Sequence, residues 1–82
     1  MIKQGTLVVV DWLDAEHSDG WTSLKKVEAL KPVIVHSVGW VVTDTELLLV
    51  LAACIGDTWK PGDTVGRAIV LPRSMVQKVR RL

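Results

Sequence analysis

Short runs of β-branched and aliphatic residues, each ended by turn-forming residues, are the feature that most constrains this chain. Val, Ile and Leu fit the pleated, half-buried surface of a strand, whereas Gly, Pro and Asp interrupt it. Five runs are predicted as strands, and they cover residues 6–13, 33–43, 46–55, 66–71 and 76–82. The sequence therefore predicts an all-β fold.

The connection between the first two predicted strands is the longest, and it has room for one short helix. Leu24, Val27 and Leu30 recur at three-residue spacing, and Thr22 or Ser23 is a suitable helix N-cap. Because the residue before a proline avoids the helical region, Lys31-Pro32 ends any such helix. The sequence alone leaves open whether residues 22–31 are helical.

The other connections are short or rich in turn-forming residues. Asp44-Thr45 is the only break between strands two and three, which predicts a tight hairpin. Residues 56–64 form a Gly- and Pro-containing loop, and Pro72-Arg73-Ser74 separates strands four and five because proline cannot continue a ladder. Gly39, in the middle of the second strand, predicts a bend or bulge of the kind small barrels use to curl.

At 82 residues the chain has the length of one domain. Five short strands with one long connection match the plan of a small five-stranded barrel. The prediction for residues 1–82 is a single small β-barrel with a long loop between strands one and two. So small a core stabilises a fold only modestly, and such chains often depend on oligomerisation.

Composition limits the classes of function. Cys54 is the only cysteine, so no intrachain disulfide can form, and its apolar run predicts a buried small side chain. No apolar run reaches the length of a membrane span and no signal peptide is recognisable, so the sequence predicts a cytoplasmic protein without membrane contact.

Charge is unevenly distributed although the net charge is only +1. Residues 1–20 have one basic and four acidic side chains, a balance of −3, whereas residues 58–82 have six basic and one acidic, a balance of +5. Such asymmetry is typical of an anion-binding surface, or of complementary faces that meet when identical subunits pack head to tail.

Four Trp residues are the only aromatic side chains. Trp12 and Trp40 lie within strand patterns, where an indole covers the edge of a small core. Trp21 and Trp59 lie in loops beside Gly and Pro, where an indole is as well suited to binding a partner as to covering the core.

No catalytic or metal-binding constellation can be named. His17 and His36 are the only imidazoles, and neither has metal-ligand spacing with Cys54. The acidic residues 11–19 do not match a calcium loop, and Gly62 to Gly66 lacks the Lys of a phosphate loop. The sequence therefore predicts a protein that is not an enzyme and has no metal or other cofactor.

The C-terminal third carries a resemblance to a known family. Leu71, Val76 and Val79 around the turn Pro72-Arg73 resemble the second motif of the Sm-like proteins, and residues 39–44, a glycine-bent strand with an acidic turn, resemble the first. The pattern is also similar to small phage and marine-metagenome Sm-like proteins, and for a phage-encoded chain the expected location is the host cytoplasm. Thr45-Glu46-Leu47 stands where the family has the Met-Asn pair whose Asn receives a base.

The resemblance implies that the barrel is of the SH3-like or Sm-like kind. It also implies a homo-oligomeric ring in which the fourth strand of one subunit pairs with the fifth strand of the next. It also implies binding of RNA or single-stranded DNA. The side chains expected to contact nucleic acid are Asp44, Thr45, Trp59, Lys60, Arg73 and Ser74. An alternative hypothesis is a phage-type accessory protein that uses Trp21 and Trp59 to bind a host protein, or that sequesters a small anionic nucleotide at subunit interfaces.

Overall fold

The computed structural model describes all 82 residues. Five antiparallel strands form one sheet, and the all-β prediction is confirmed. The strands are β1 (Leu7–Asp14), β2 (Val33–Asp44), β3 (Leu48–Ile55), β4 (Val65–Pro72) and β5 (Val76–Arg81). A single helix, α1 (Leu24–Glu28), lies between β1 and β2, and a 3-10 turn (Arg73–Met75) joins β4 to β5.

The strand order is β4-β3-β2-β1-β5. β4 and β5 are therefore the two edges, and each pairs with only one neighbour. The sheet curls but does not close through backbone hydrogen bonds, so the single chain does not show the closed barrel that the sequence predicts. Both edges retain backbone groups that could pair with another strand.

The core is small and entirely aliphatic. Its six fully buried large side chains come from four strands and are Val8, Val10, Val41, Leu49, Leu51 and Leu71. Trp12 packs against this cluster as predicted, and its Nε1 donates to Ser37 Oγ at 3.0 Å. Nine of the 82 residues are buried, so the single chain removes little apolar surface from water.

A β-bulge in β2 reverses the alternation of its side chains. The register with β3 shifts between Val41 and Thr43, so that Val41 and Asp44 both face the interior. The predicted bulge at Gly39 is wrong in position, since β1 and β2 pair regularly there. Gly39 is needed instead because a Cβ would lie 3.0 Å from the carbonyl oxygen of Ala52.

The β2–β3 turn is longer than the two-residue hairpin that was predicted. Thr45 N–H donates to Leu48 O at 2.9 Å, and Thr45 Oγ1 accepts from the N–H groups of Leu47 and Leu48. β3 therefore begins at Leu48 rather than at Glu46. The Thr side chain makes local hydrogen bonds that compete with extension of the ladder.

Residues 14–34 form an exposed arm that contains no buried side chain. The sequence left open whether this connection is helical, and the structure shows the short helix α1. Its N-cap is Ser23, whose Oγ accepts from Lys26 N–H at 3.2 Å. The arm makes the molecule elongated: its radius of gyration is 16.0 Å, against about 12 Å for a compact domain of this length. No helix of the protein is long and apolar enough to cross a membrane.

Cys54 is exposed, so the prediction of a buried thiol is wrong. It lies where β3 has β4 as its only neighbour, because β2 pairs with β3 only as far as Ala52. The apolar run around Cys54 continues past the end of the core, and hydrophobicity alone could not show where the covering strand stops.

Candidate functional site

The Arg73 turn, defined as Asp44, Thr45, Arg73 and Ser74, brings together four of the six residues predicted to contact nucleic acid. The backbone N–H of Arg73 donates to Leu47 O at 2.8 Å, which joins the β4–β5 connection to the β2–β3 turn. Two segments 29 residues apart in the chain thus form one surface. Because the bulge turns Asp44 inward, its carboxylate faces Arg73 rather than solvent.

Asp44 holds Arg73 in place. One guanidinium nitrogen, Nη2, lies 3.1 Å from Oδ1 and 3.2 Å from Oδ2 of Asp44. Oδ2 also accepts from the backbone N–H of Ile2 at 2.9 Å, whereas Oδ1 has only its ionic contact with Nη2. The Asp44 side chain is 1% exposed and that of Arg73 is 31% exposed. Asp44 is therefore a positioning residue, and Arg73 is the one that can reach a ligand.

Arg73 retains hydrogen-bonding capacity that the protein does not use. Its Nε and Nη1 make no hydrogen bond within the chain, and a guanidinium offers five donors in a planar fork. The neighbouring Ser74 is exposed and its hydroxyl is unpaired. The Arg73 turn thus presents donors suited to a phosphate oxygen or to the acceptor edge of a base.

Trp59 and Lys60 lie elsewhere, in a second site that we call the Trp59 cleft. Their loop connects β3 to β4 and packs its tip against the segment before β1. The cleft has a volume of about 280 Å³, and its lining includes the side chains of Gln4, Val42, Trp59, Lys60, Asp63 and Val65. Nothing in the sequence indicated that Gln4 or Val42 would belong to a site, because the position of both residues depends on how the hairpin curls.

Internal hydrogen bonds give this loop a fixed shape. Asp63 Oδ2 accepts from the hydroxyl of Thr58 and, at 3.0 Å, from the N–H of Lys60. The indole of Trp59 lies on Gly5, where a Cβ would be 3.1 Å from Nε1. Gly5 has a φ of +87°, so only glycine gives both the turn and the space without strain. Trp59 is half-buried as a result.

Trp21 is fully exposed in the arm. It follows the end of β1, whereas Trp59 contacts Gly5, two residues before β1 begins. An eight-residue strand spans about 25 Å. The structure therefore does not bring Trp21 and Trp59 together into one partner-binding surface.

A cross-strand ionic cluster on the outer face of the sheet was not anticipated. His36 Nδ1 donates to Asp11 Oδ1 at 2.6 Å, and the two residues lie opposite each other in β2 and β1. The hydrogen bond from His36 lowers the pKa of Asp11, and the positive charges of His36, Arg80 and Lys78 add to this against partial desolvation. The pairing could have been inferred from the sequence only with the β1–β2 register known.

No group of three or more His, Cys, Asp or Glu side chains is arranged to hold a metal ion. Comparison with family models, curated proteins and solved structures gives no significant match to this chain. The function of the chain is therefore inferred from the two sites and from the edges of the sheet.

Proposed function

We propose that this protein is a non-catalytic assembly protein of the Sm-like kind, whose copies join edge to edge into a ring that binds RNA or single-stranded DNA. The observation that carries the proposal is that β4 and β5 are the two edge strands, each with one side unpaired, and that the turn between them carries Arg73. Pairing β4 of one subunit with β5 of the next completes the backbone hydrogen bonds of both edges. It also places one Arg73 turn in every subunit at a repeated position.

Burial supports assembly. Only nine residues of the single chain are buried, and several large aliphatic side chains remain exposed on the sheet, among them Val65 and Val70 of β4. A subunit interface along β4 would remove such surface from water, at about 25 cal/mol for each Å² of apolar area. The barrel closure that the sequence predicts would then be completed between subunits rather than within one.

Charge supports a nucleic-acid ligand. Lys78, Arg80 and Arg81 lie on the edge strand β5, next in the chain to the Arg73 turn. Repeated around a ring, these side chains supply the positive surface that neutralises phosphates. At the Arg73 turn itself Asp44 balances the charge of Arg73, so this site contributes hydrogen-bond geometry rather than net charge.

The assembly part of the proposal is tested by native mass, measured by light scattering on a sizing column. Val70 in β4 and Val38 in β2 are 57% and 58% exposed, which makes them a matched pair. We expect a multimer for the wild type and for Val38→Lys, and a smaller species for Val70→Lys. A monomeric wild type, or two variants with the same mass as the wild type, would contradict ring formation through β4.

The ligand part is tested by fluorescence anisotropy with a mixed pool of short RNA and single-stranded DNA at low salt. Arg73→Lys keeps a positive charge beside Asp44, so the variant should still fold. It removes the planar guanidinium fork, so the variant should bind nucleic acid more weakly. We expect about tenfold weaker binding, from the loss of a bidentate contact. A flat titration with the wild-type protein would exclude this function.

A second candidate function, binding of a host protein by a phage-type accessory protein, is favoured by the arm. Trp21 and Leu24 are almost fully exposed there, and no side chain of α1 is buried. A five-residue helix is too short to be stable alone and gains from a surface that covers its apolar face. This function would be favoured over nucleic-acid binding by two results together. The multimer would not bind RNA, and its unmodified arm would bind a protein partner of defined mass.

A further inference from the structure

We propose that the Trp59 cleft is a binding site for one nucleobase that carries an exocyclic amino group, with the base stacked on the indole of Trp59. This inference rests on the proposed nucleic-acid binding and gives it a second contact point, separate from the Arg73 turn. Adenine and cytosine are the bases that the site fits best, and uracil is the one it should reject.

The size and lining of the cleft define the class of ligand. Its volume of about 280 Å³ is at the lower limit for ligand pockets, so it admits a single ring system rather than a large molecule. Val42 and Val65 provide apolar surface beside the Trp59 indole. Stacking of a base on an aromatic side chain contributes about 1–3 kcal/mol per base in single-stranded nucleic acid complexes.

The rim of the cleft selects among bases. Gln4 uses its amide nitrogen to donate to Val42 O at 3.1 Å, which leaves its Oε1 as a free acceptor. Asp63 accepts its loop hydrogen bonds through Oδ2, which leaves Oδ1 as a second free acceptor. Two acceptors on the rim match a ligand that donates, as the amino groups of adenine and cytosine do. Uracil has no amino group, and the two carbonyl oxygens that flank its N3–H donor would lie close to these acceptors.

Local charge favours a base over a phosphate as the group inside the cleft. Lys60 and Asp63 both line it, so its two ionic side chains cancel. A phosphate would meet the carboxylate of Asp63, whereas an uncharged base would not. The ammonium group of Lys60, which is exposed, remains available to a phosphate outside the cleft.

The cleft is also preorganised. The loop is fixed by the hydrogen bonds of Asp63, and Trp59 is held against Gly5 by close contact. A binding site whose side chains are already ordered loses less conformational entropy when the ligand arrives. The same contact could make Trp59 important for stability, and the experiment below therefore includes variants that leave the indole in place.

The test is a titration of the full chain with the hexanucleotides rA6 and rU6 and with the mononucleotides AMP, CMP and UMP. The readout is the NMR signal of the Trp59 indole N–H, with the Trp12 indole N–H as an internal control because it is engaged with Ser37. We expect AMP, CMP and rA6 to shift the Trp59 signal and rU6 to bind about tenfold more weakly than rA6. Equal binding of rA6 and rU6, or an unmoved Trp59 signal at saturation, would overturn the proposal.

Variants separate stacking from folding. Trp59→Leu should lose the preference for rA6, and Trp59→Phe should recover part of it because it restores a ring. Gln4→Ala removes one rim acceptor without touching the indole, and should bring rA6 towards the affinity of rU6. Lys60→Ala should weaken hexanucleotide binding several-fold, whereas Lys25→Ala in α1 serves as a matched control with no effect. A Gln4→Ala variant with an unchanged rA6 preference would refute the role of the rim.

The outcomes also distinguish this inference from the proposed function. If rA6 binds through Arg73 and ignores Trp59, the nucleic-acid function stands and the base site is refuted. If AMP binds at Trp59 but no oligonucleotide binds, the base site stands, the ligand is a free nucleotide, and the nucleic-acid function fails. If nothing binds, both are refuted.

Discussion

The indole of Trp59 covers Gly5, so that the tip of the β3–β4 hairpin touches the segment that leads into β1. The contact links two parts of the sheet that share no backbone ladder, since β3 and β1 are separated by β2. It is side-chain packing, rather than a further pair of strands, that holds the sheet in its curled form. The Gly5–Trp59 contact therefore contributes both to the curvature of the sheet and to the shape of the cleft that Trp59 lines.

Gly5→Ala tests this contact. The substitution forces an L residue into a φ of +87° and also places a Cβ 3.1 Å from Trp59 Nε1. We expect a loss of about 2 kcal/mol in the free energy of unfolding. Gly62→Ala is the matched control, because Gly62 has a φ of +93° and no neighbour within 4 Å. Its loss should be about 1 kcal/mol from backbone strain alone, and equal losses in urea unfolding would show that the Trp59 contact contributes nothing.

The pairing of Arg73 with Asp44 predicts an unequal response to removing either partner. Arg73→Ala leaves a carboxylate that is 1% exposed without its counter-charge, which we expect to cost about 3 kcal/mol. In Asp44→Ala the guanidinium is 31% exposed and can turn to water, so the loss should be about 1 kcal/mol smaller. Urea unfolding of both variants is the measurement, and the reverse order would contradict the assignment of Asp44 as the buried partner.

The Asp11–His36 pair predicts an acid-dependent contribution to stability. Because the folded state lowers the pKa of Asp11, chiefly through the hydrogen bond from His36, the folded state releases this proton more readily than the unfolded chain. The stabilisation is therefore complete above the unfolded pKa of about 4 and is lost as pH falls through the lower, folded value. Asp11→Asn should lower the melting temperature near neutral pH and make less difference in acid. A constant difference from about pH 6 to about pH 2 would count against the pair.

The exposure of Cys54 predicts that its thiol reacts without unfolding. A maleimide or disulfide reagent should label the native protein completely in the absence of denaturant, because the thiol is open to solvent. The measurement is the mass of the labelled protein as a function of time with and without urea. Labelling that requires urea would show that the end of β3 is covered, as it would be if an assembly interface extended to it.

The sequence was sufficient to predict the elements that depend on local physics. The five strands and the break after Pro72 follow from propensity, turn chemistry and proline sterics. Ser23 was one of two cap candidates for a helix that the sequence left open. Trp12 as a cover on the core follows from its place in a strand pattern. Each of these features involves neighbours that are close in the chain.

The features that were missed depend on register and curvature. The bulge after Val41 reverses the face on which Asp44 lies, and one residue of register decides this. The separation of Trp59 and Lys60 from Arg73 depends on how the β3–β4 hairpin curls over the sheet. The Asp11–His36 pair depends on which residues of β1 and β2 stand opposite each other. None of these long-range relationships is encoded in local composition.

The arm and the sheet differ greatly in local stability. Residues 14–34 are about a quarter of the chain, and not one of their side chains is buried. A segment without burial can open while the sheet stays folded. Its amide hydrogens should therefore exchange with solvent almost as fast as those of a free peptide, while those of Val10 and Leu51 exchange only through global unfolding. Slow exchange of the amide hydrogens of α1 would consequently indicate directly that another molecule is bound to the arm.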